Sequence, residues 1–146
     1  MIHHLIYLSR SPRHCDDTFL ISLLGVARTN NARLGVTGVL LYWDRTFLQL
    51  LEGDRDKVEQ TFASIRQDRR HEGVVVMHQQ QSNHPRLFPQ WSMGYGHMRC
   101  MDKAGIPGLE KNGLNDVRNQ LTLGGQAPAA RLLSEVIAFN EVDREG

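Results

Sequence analysis

The chain has 146 residues, 40% of them hydrophobic, and its formal net charge at pH 7 is +1. This length suits one domain with a buried core, and the balanced charge argues against a protein built mainly to bind nucleic acid. No apolar run approaches the roughly 20 residues that a membrane-spanning helix needs, and the N-terminus lacks a signal-peptide pattern. Cys15 and Cys100 form no CxxC motif, so we expect reduced thiols, a cytoplasmic location and no membrane association.

The N-terminal segment predicts a strand followed by a helix. Residues 5–9 alternate in polarity as a half-buried strand does. Asp16 or Asp17 can cap the helix, because a short carboxylate accepts hydrogen bonds from the free N–H groups of the first turn. Apolar residues then recur at helical spacing, and the helix is predicted to end near Asn30 and Asn31. Asn is tolerated in the left-handed conformation of a helix C-cap.

The next segment predicts a β-hairpin and a second helix. Residues 36–43 and residues 47–52 are rich in strand-forming side chains, and the sequence at positions 44–45 is a plausible turn between them. Asp54 can cap the following helix, whose apolar stripe extends to Ile65. These elements continue the regular alternation of strands and helices.

Two further strands complete the predicted sheet. Residues 73–77 and residues 91–97 are predicted strands, and residues 79–89, which are polar and contain two prolines, are predicted to be largely loop. The resulting order is β-α-β-β-α-β-β, and its first six elements match the ferredoxin-like arrangement with two helices on one sheet face. We therefore predict an α+β, ferredoxin-like βαββαβ sandwich with a five-stranded mixed sheet.

The C-terminal part is predicted to be a helical extension. Glycine and proline are frequent in residues 99–146, where helices are predicted near 114–121 and 129–141. We expect this pair to cover the sheet face opposite the first two helices, because an open face would be a large exposed apolar patch. The same helices could also form a partner or dimer surface. The predicted domains are residues 1–98 and the extension 99–146.

Gln49 is the most informative polar residue. Side chains alternate along a strand, so Phe47, Gln49 and Leu51 share one face, where an unpaired amide would cost about 1–3 kcal/mol. The first and third strands of this sheet order are typically adjacent, so Tyr7 is expected beside Gln49. A structural Tyr–Gln pair and an amide facing a bound molecule are both compatible with this pattern.

Other polar residues indicate no familiar chemistry when each is taken singly. The sequence contains no GxGxxG, GxxxxGK[ST], GxSxG or HExxH motif, and its seven histidines do not fall at metal-ligand spacing. No metal site is therefore predicted. Core packing would explain Trp91 and Met93, and a charged helix end would explain residues 68–71.

Several segments nevertheless occur in the order and with the separations of one family. They are residues 5–9, 28–31, 35–42, 47–53, 68–71 and 88–93. Together they make the chain resemble BLUF domains, the sensors of blue light using flavin, over about residues 2–98. The tail resembles that of short family members, which add two helices and no enzyme domain.

The resemblance implies a flavin, FAD with FMN or riboflavin as alternatives, held between the two helices against the sheet. Tyr7 would give an electron and a proton after photoexcitation, and rearrangement of the Gln49 hydrogen bonds would produce a red-shifted state. Trp91 and Met93 would be output elements. The residues implied to bind the cofactor are Asn30, Asn31, Phe47, Gln49, Ile65, Asp68, Arg70 and His71. Some relatives carry a basic residue at the position of Ser64, so this chain departs from them at the phosphate end.

The resemblance further implies a photosensory protein without enzyme activity that acts on a separate signalling protein, as a homo-oligomer and without binding nucleic acid. The alternative function is a small acylphosphatase-like hydrolase on the same fold, with Arg28 and Asn31 cradling a phosphate. No glycine-rich phosphate loop follows the first strand, where residues 11–13 stand instead. An RNA-binding module would need aromatic residues on the open sheet face and a basic surface, which the sequence does not clearly supply.

Overall fold

The structure, a computed structural model, describes residues 1–98 and 113–145. Its elements form one five-stranded sheet with helices on both faces. The strands are β1 (Ile2–Arg10), β2 (Thr37–Trp43), β3 (Thr46–Gly53), β4 (Glu72–Ser82) and β5 (Gly94–His97). The helices are α1 (Asp17–Leu34), α2 (Arg55–Gln67), α3 (Leu114–Gly124) and α4 (Pro128–Glu145).

The sheet order is β4-β1-β3-β2-β5. All neighbours are antiparallel except β2 and β5, which are parallel. The sheet is therefore mixed, as the sequence predicts. Within the β1–β3 pair, Tyr7 lies directly opposite Gln49, so the expected adjacency of these two residues is confirmed.

Each sheet face has its own hydrophobic core. The core under α1 and α2 contains Tyr7, Phe47, Leu51 and Met93, whereas the core under α3 and α4 contains the alternate strand residues, such as Leu48 and Leu50. This division follows from the two-residue period of side chains along a strand. The predicted α+β fold, with a C-terminal helical pair on the opposite sheet face, is confirmed.

Helix α1 ends later than the sequence predicts. The helix continues to Leu34, and Gly35 forms the C-cap with φ 72°, a left-handed conformation that glycine adopts without steric cost. Asn31 is therefore a buried interior residue of α1 and not its cap. At the other end the prediction holds, since the Asp16 side chain accepts a 2.8 Å hydrogen bond from the Phe19 N–H. Asp54 occupies the N-cap position of α2, but its side chain makes no capping bond.

The last two strands also differ from the prediction. Strand β4 extends to Ser82, so the loop predicted from residue 79 begins later. Strand β1 starts at Ile2, which lies opposite Ser82 in the β1–β4 pair. Backbone pairing needs no apolar side chains, which explains why the polar residues there carried no strand signal. Strand β5 begins at Gly94, so Trp91 and Met93 precede it.

The loop between β4 and β5 is fastened to the sheet by a buried carboxylate. The Glu52 side chain accepts hydrogen bonds from the Leu87 and Phe88 N–H groups, each at 2.7 Å, and from the Thr37 hydroxyl at 3.1 Å. The Arg86 guanidinium adds a bond of 2.8 Å to the Gly35 carbonyl. These bonds fix the direction from which the chain enters the segment containing Trp91 and Met93.

Two further sequence expectations concern regions away from this loop. Cys15 is a free, buried thiol, while the expectation for Cys100 and those for residues 99–112 lie outside the described residues. None of the helices within the described ranges is long and apolar enough to cross a membrane.

Candidate functional site

A cavity of about 170 Å³ lies between α1 and α2 and reaches the sheet at Leu40 and Gln49. Its walls combine apolar side chains with amides and charged groups. Of the residues singled out from the sequence, those that line it are Asn30, Asn31, Gln49, Ser64, Ile65, Asp68, Arg70 and His71. The fold therefore gathers residues that are up to about 40 positions apart around one site.

Gln49 lines the cavity, and its side chain is hydrogen-bonded to two buried side chains that do not line it. The Tyr7 hydroxyl donates a hydrogen bond to Gln49 Oε1, and Gln49 Nε2 lies 3.2 Å from Met93 Sδ. All three side chains are buried. The amide is thus paired on both sides within the protein while it also lines the cavity, so both interpretations of Gln49 left open by the sequence are compatible with the structure.

The Tyr7 phenol is held in its protonated form. Burial raises its pKa well above the ordinary value of 10, and the negative charge of Asp68 raises it further. Around neutral pH the hydroxyl is therefore a hydrogen-bond donor, and Gln49 Oε1 is its acceptor.

His71 closes one side of the cavity as a neutral ring. Its Nδ1 is 2.8 Å from the Ser9 hydroxyl, and its ring centroid lies 5.0 Å from that of Phe47 and 6.0 Å from that of Tyr7. Burial lowers the pKa of His71 to about 4, with Asp68 opposing the shift. Since Ser9 engages Nδ1, the other ring nitrogen, Nε2, remains for a different partner.

The depressed pKa of His71 predicts a loss of stability in mild acid. The unfolded chain binds a proton near pH 6.5, whereas folded His71 does so only near pH 4. Lowering the pH through this interval should therefore reduce the free energy of unfolding, with a contribution from His71 on the order of 1–3 kcal/mol. Above pH 6.5, His71 should not contribute to the pH dependence of the free energy of unfolding. Urea unfolding at pH 5 and pH 7 measures the change. A His71→Gln variant should lose this part of the slope, and parallel curves for the two proteins would contradict the assignment.

Charged groups also line the cavity. Arg70 donates to Asp68 at 3.0 Å through Nε and at 2.6 Å through Nη2, and this bond lowers the pKa of the Asp68 carboxyl. Both residues follow the end of α2 at Gln67, so they do not belong to the helix as the sequence predicts. Arg33, which the sequence analysis did not single out, also lines the cavity. Arg66, two positions after Ser64, does not line the cavity; its guanidinium stacks over Phe62, 5.4 Å from the ring centroid.

Four residues singled out from the sequence do not line the cavity, namely Tyr7, Phe47, Trp91 and Met93. Phe47 is fully buried and sits behind His71, between that ring and Tyr42. Trp91 packs on Phe88 with ring centroids 5.0 Å apart, in the core beneath α3 and α4. Met93, in contrast, belongs to the core that contains Tyr7, and its sulfur contacts the Gln49 amide.

Ser9 and Arg28 also support the site, although Ser9 was not expected there and Arg28 was expected only for the hydrolase alternative. Alternation along β1 places Ser9 on the face of Tyr7, and this signal could have identified it. Arg28 Nε donates to the Met93 carbonyl at 2.8 Å, and Asn31 Nδ2 donates to the Ser92 carbonyl at 2.9 Å. Bonds to backbone carbonyls leave no trace in the sequence. They also occupy the pair that a phosphate cradle would require, which weakens the hydrolase alternative.

Within the described part of the chain, no group of three or more His, Cys, Asp or Glu residues could hold a metal ion. The polar chemistry of the cavity is that of amides, the Tyr7 phenol, the neutral His71 ring and an Asp–Arg pair. Such groups suit an organic ligand that has an apolar body and hydrogen-bonding edges.

Comparison with known proteins assigns the family. Residues 2–94 match the family model described as BLUF, sensors of blue-light using FAD. A photoactivated adenylate cyclase subunit beta from Euglena gracilis is 35% identical over 102 residues, which cover 66% of this chain and 11% of that protein. The chain therefore belongs to the BLUF family, and the matched segment is a flavin-binding blue-light sensor domain.

Solved structures give the same assignment. The dark-state structure of BlrB, a BLUF protein, has a TM-score of 0.65 at 26% identity and covers 94% of this chain and 96% of its own. The Klebsiella pneumoniae BlrP1 structure has a TM-score of 0.73 at 30% identity and covers 94% of this chain and 33% of its own. The chain spans about a tenth of the length of its photoactivated cyclase relatives.

Proposed function

We propose that this protein is a blue-light photoreceptor in which Tyr7 supplies an electron and a proton and Gln49 changes its hydrogen bonds, altering the interaction with a separate signalling protein. The observation that carries the proposal is the Gln49 amide, which lines the cavity and is bonded to Tyr7 and Met93 behind it. In a purely structural Tyr–Gln pair, the amide would not need to line a cavity that also presents Asn31 and His71.

The cavity fits a flavin on the chemistry of its walls. Leu23, Leu34 and Ile65 offer apolar surface for a flat ring, while Asn31 and Gln49 offer amide donors and acceptors to its polar edge. The Asn31 bond to Ser92 uses one amide donor and leaves the oxygen acceptor for a ligand. A bound flavin would supply the blue-light absorption and an acceptor for one electron.

The protein groups then determine where the proton goes. An intact Tyr7 phenol does not release its proton near neutral pH, because burial raises its pKa. Loss of an electron makes a phenol strongly acidic, and Gln49 Oε1 already accepts its hydrogen bond. A proton that reaches Oε1 turns this atom from an acceptor into a donor, which reverses the polarity of the Tyr7–Gln49 contact. The amide must then rotate or exchange partners, and its contact with Met93 changes.

FAD is the flavin we propose, with its phosphates near the charged side of the cavity. Ser64 lines the cavity where some relatives carry a basic residue, but Arg33 also lines it and supplies a positive charge. Arg70 is paired with Asp68 and holds that carboxylate in place. FMN and riboflavin would use the same ring contacts without the Arg33 interaction.

We propose that the output surface lies on the C-terminal helices. Two large apolar side chains are exposed there, Leu123 on α3 and Phe139 on α4, at 81% and 71% exposure. A protein partner or a second copy of the chain that docked on these helices would bury the two side chains. We accordingly propose residues 1–98 as the sensor and 99–146 as the output extension, in a cytoplasmic protein that forms homo-oligomers.

The decisive experiment is an absorption spectrum of the purified protein, recorded in the dark and again under blue light. A flavin spectrum with a reversible red shift is the expected result. A flavin spectrum without a shift would remove the proposed roles of Tyr7 and Gln49. A protein that takes up no flavin even when refolded with FAD would contradict the proposed function altogether.

Removing the Asn31 amide should weaken flavin retention. Asn31→Ala deletes the amide that borders the cavity and its bond to the Ser92 carbonyl, and the loss of one or two hydrogen bonds corresponds to roughly a 10-fold or greater weakening. Flavin occupancy after gel filtration, and Kd by fluorescence titration, measure the effect. Thr29→Ala, at an exposed position of the same helix, is the matched control. Equal occupancy in the two variants would show that other contacts hold the flavin.

A further inference from the structure

Trp91 and Met93 point to opposite faces of the sheet although they are two residues apart. Met93 is in the core under α1 and α2, where it contacts Gln49, and Trp91 is in the core under α3 and α4. In an extended strand, residues i and i+2 share one face. A strand that began at Trp91, as the sequence predicts, would therefore put both side chains on the same face. The backbone from residue 91 to residue 93 decides which side chain meets Gln49.

Three consecutive carbonyls in this segment are held by three different donors. The Gly38 N–H binds the Trp91 carbonyl at 3.1 Å, Asn31 Nδ2 binds the Ser92 carbonyl at 2.9 Å, and Arg28 Nε binds the Met93 carbonyl at 2.8 Å. Each bond fixes the orientation of one peptide plane. Rotating the segment to exchange the two side chains would require breaking at least the last two bonds.

Gly94 completes this arrangement. A Cβ at position 94 would lie 2.3 Å from Cε3 of the Trp91 ring, so the ring rests directly against the glycine backbone. A residue with a side chain could not accommodate the ring there without a shift of either group. Two features therefore determine the position of Trp91: the hydrogen bonds to the three carbonyls, and the absence of a side chain at Gly94.

The position of the Arg28 guanidinium next to the Met93 carbonyl has a desolvation cost. Its Nη2 atom is buried and has no hydrogen-bond partner among the described residues. Burial lowers the pKa of Arg28, which reflects the desolvation of its charge. A hydrogen bond from a charged donor is about twice as strong as a neutral one, so the bond to Met93 recovers part of this cost. Among the three donors, only Arg28 is a side chain that does not also line the cavity.

We propose that Arg28 is a positioning residue that locks Met93 beside Gln49 and keeps Trp91 on the opposite sheet face. The inference rests on the proposed function, because it selects which side chain senses a change at the Gln49 amide. With the lock in place, this change acts on the Met93 thioether. Without it, the segment can extend and bring Trp91 toward the cavity.

The test follows Trp91 directly by fluorine NMR. The sequence contains two tryptophans, so Trp43→Phe protein grown with 5-fluorotryptophan gives a signal from Trp91 alone. The flavin-loaded protein in the dark should show one resonance. Arg28→Met, which keeps the aliphatic stem and removes every donor, should give a second or displaced resonance. The loss of this bond should change the equilibrium between the observed placement of Trp91 and a placement nearer the cavity by about 10-fold or more.

Conservative and matched variants separate the lock from general damage. Arg28→Lys keeps a charged donor and should restore a single resonance, whereas Arg131→Ala removes an exposed arginine from α4 and should change nothing. Arg28→Ala is the second donor-free variant if Arg28→Met does not fold. One unchanged resonance in a folded donor-free variant would overturn the proposal, and so would a second resonance in Arg131→Ala. The resonance needs neither light nor a red shift, so failure of the proposed photochemistry is distinguished by the absorption spectrum.

Discussion

Tyr7→Phe is expected to retain the flavin and to lose the light-induced red shift completely. The ring of Phe fills the same buried position, but it offers neither the proton that Gln49 Oε1 accepts nor an easily oxidised phenol. The variant also leaves the Gln49 oxygen without its donor, at a cost to folding of about 1–3 kcal/mol. Dark and illuminated absorption spectra measure the photochemistry, and urea unfolding measures the stability.

Tyr42→Phe is the matched control for this variant. Tyr42 belongs to the same core, but its hydroxyl accepts a 3.1 Å hydrogen bond from the Cys15 N–H and does not touch Gln49. Its loss should leave the red shift in place. A normal red shift in Tyr7→Phe would remove Tyr7 as the electron and proton donor, whatever its effect on stability.

The geometry explains why a change at one amide could be passed on as two distinct states. Gln49 is only 5% exposed, so an amide with an unpaired group would carry a desolvation penalty that water does not relieve. Arrangements with all polar atoms paired are therefore favoured over intermediate ones. A partner protein can respond only if it binds the two arrangements with different affinities. Met93 contacts the Gln49 amide, so a change in the amide can be passed to the chain before β5 through this side chain.

The sequence is sufficient to predict the centre of the site because two independent patterns apply there, the alternation of side chains along a strand and the order of the strands in the sheet. Strand alternation gives the face of Gln49, and the ferredoxin-like strand order gives Tyr7 as its neighbour, as the register confirms. Residues 68–71 were placed by resemblance, and the structure brings Asp68, Arg70 and His71 to the cavity. The position of Phe47 next to His71 could not be predicted in the same way, because the sequence indicates its strand face but not which ring packs against it.

The surroundings of the site depend on backbone geometry that side-chain patterns do not encode. The apolar sequence around Trp91 suits a strand, yet the chain is held out of the strand by donors from α1 and β2. The end of α1 is similar, since Asn31 has the composition of a cap but Gly35 has the conformation of one. In each case a long-range hydrogen bond or a backbone angle overrides a local preference.

Gln49→Leu is expected to retain the flavin and to lose the red shift as completely as Tyr7→Phe. Leucine fills a similar volume but has no acceptor for the Tyr7 proton and no donor toward Met93. The buried Tyr7 hydroxyl loses its acceptor, so a destabilisation of about 1–3 kcal/mol is expected as well. Illuminated absorption spectra and urea unfolding again measure the two effects.

Gln80→Leu, at an exposed position on β4, is the matched control and should retain the red shift. The double variant Tyr7→Phe with Gln49→Leu provides a sharper test of the pair. Each single variant leaves one buried polar group unpaired, whereas the double variant removes both partners, so the double variant should be more stable than the sum of the single effects by about 1 kcal/mol or more. Additive losses would mean that Tyr7 and Gln49 do not depend on each other. A red shift that survives in Gln49→Leu would instead place the light-dependent rearrangement at a different side chain.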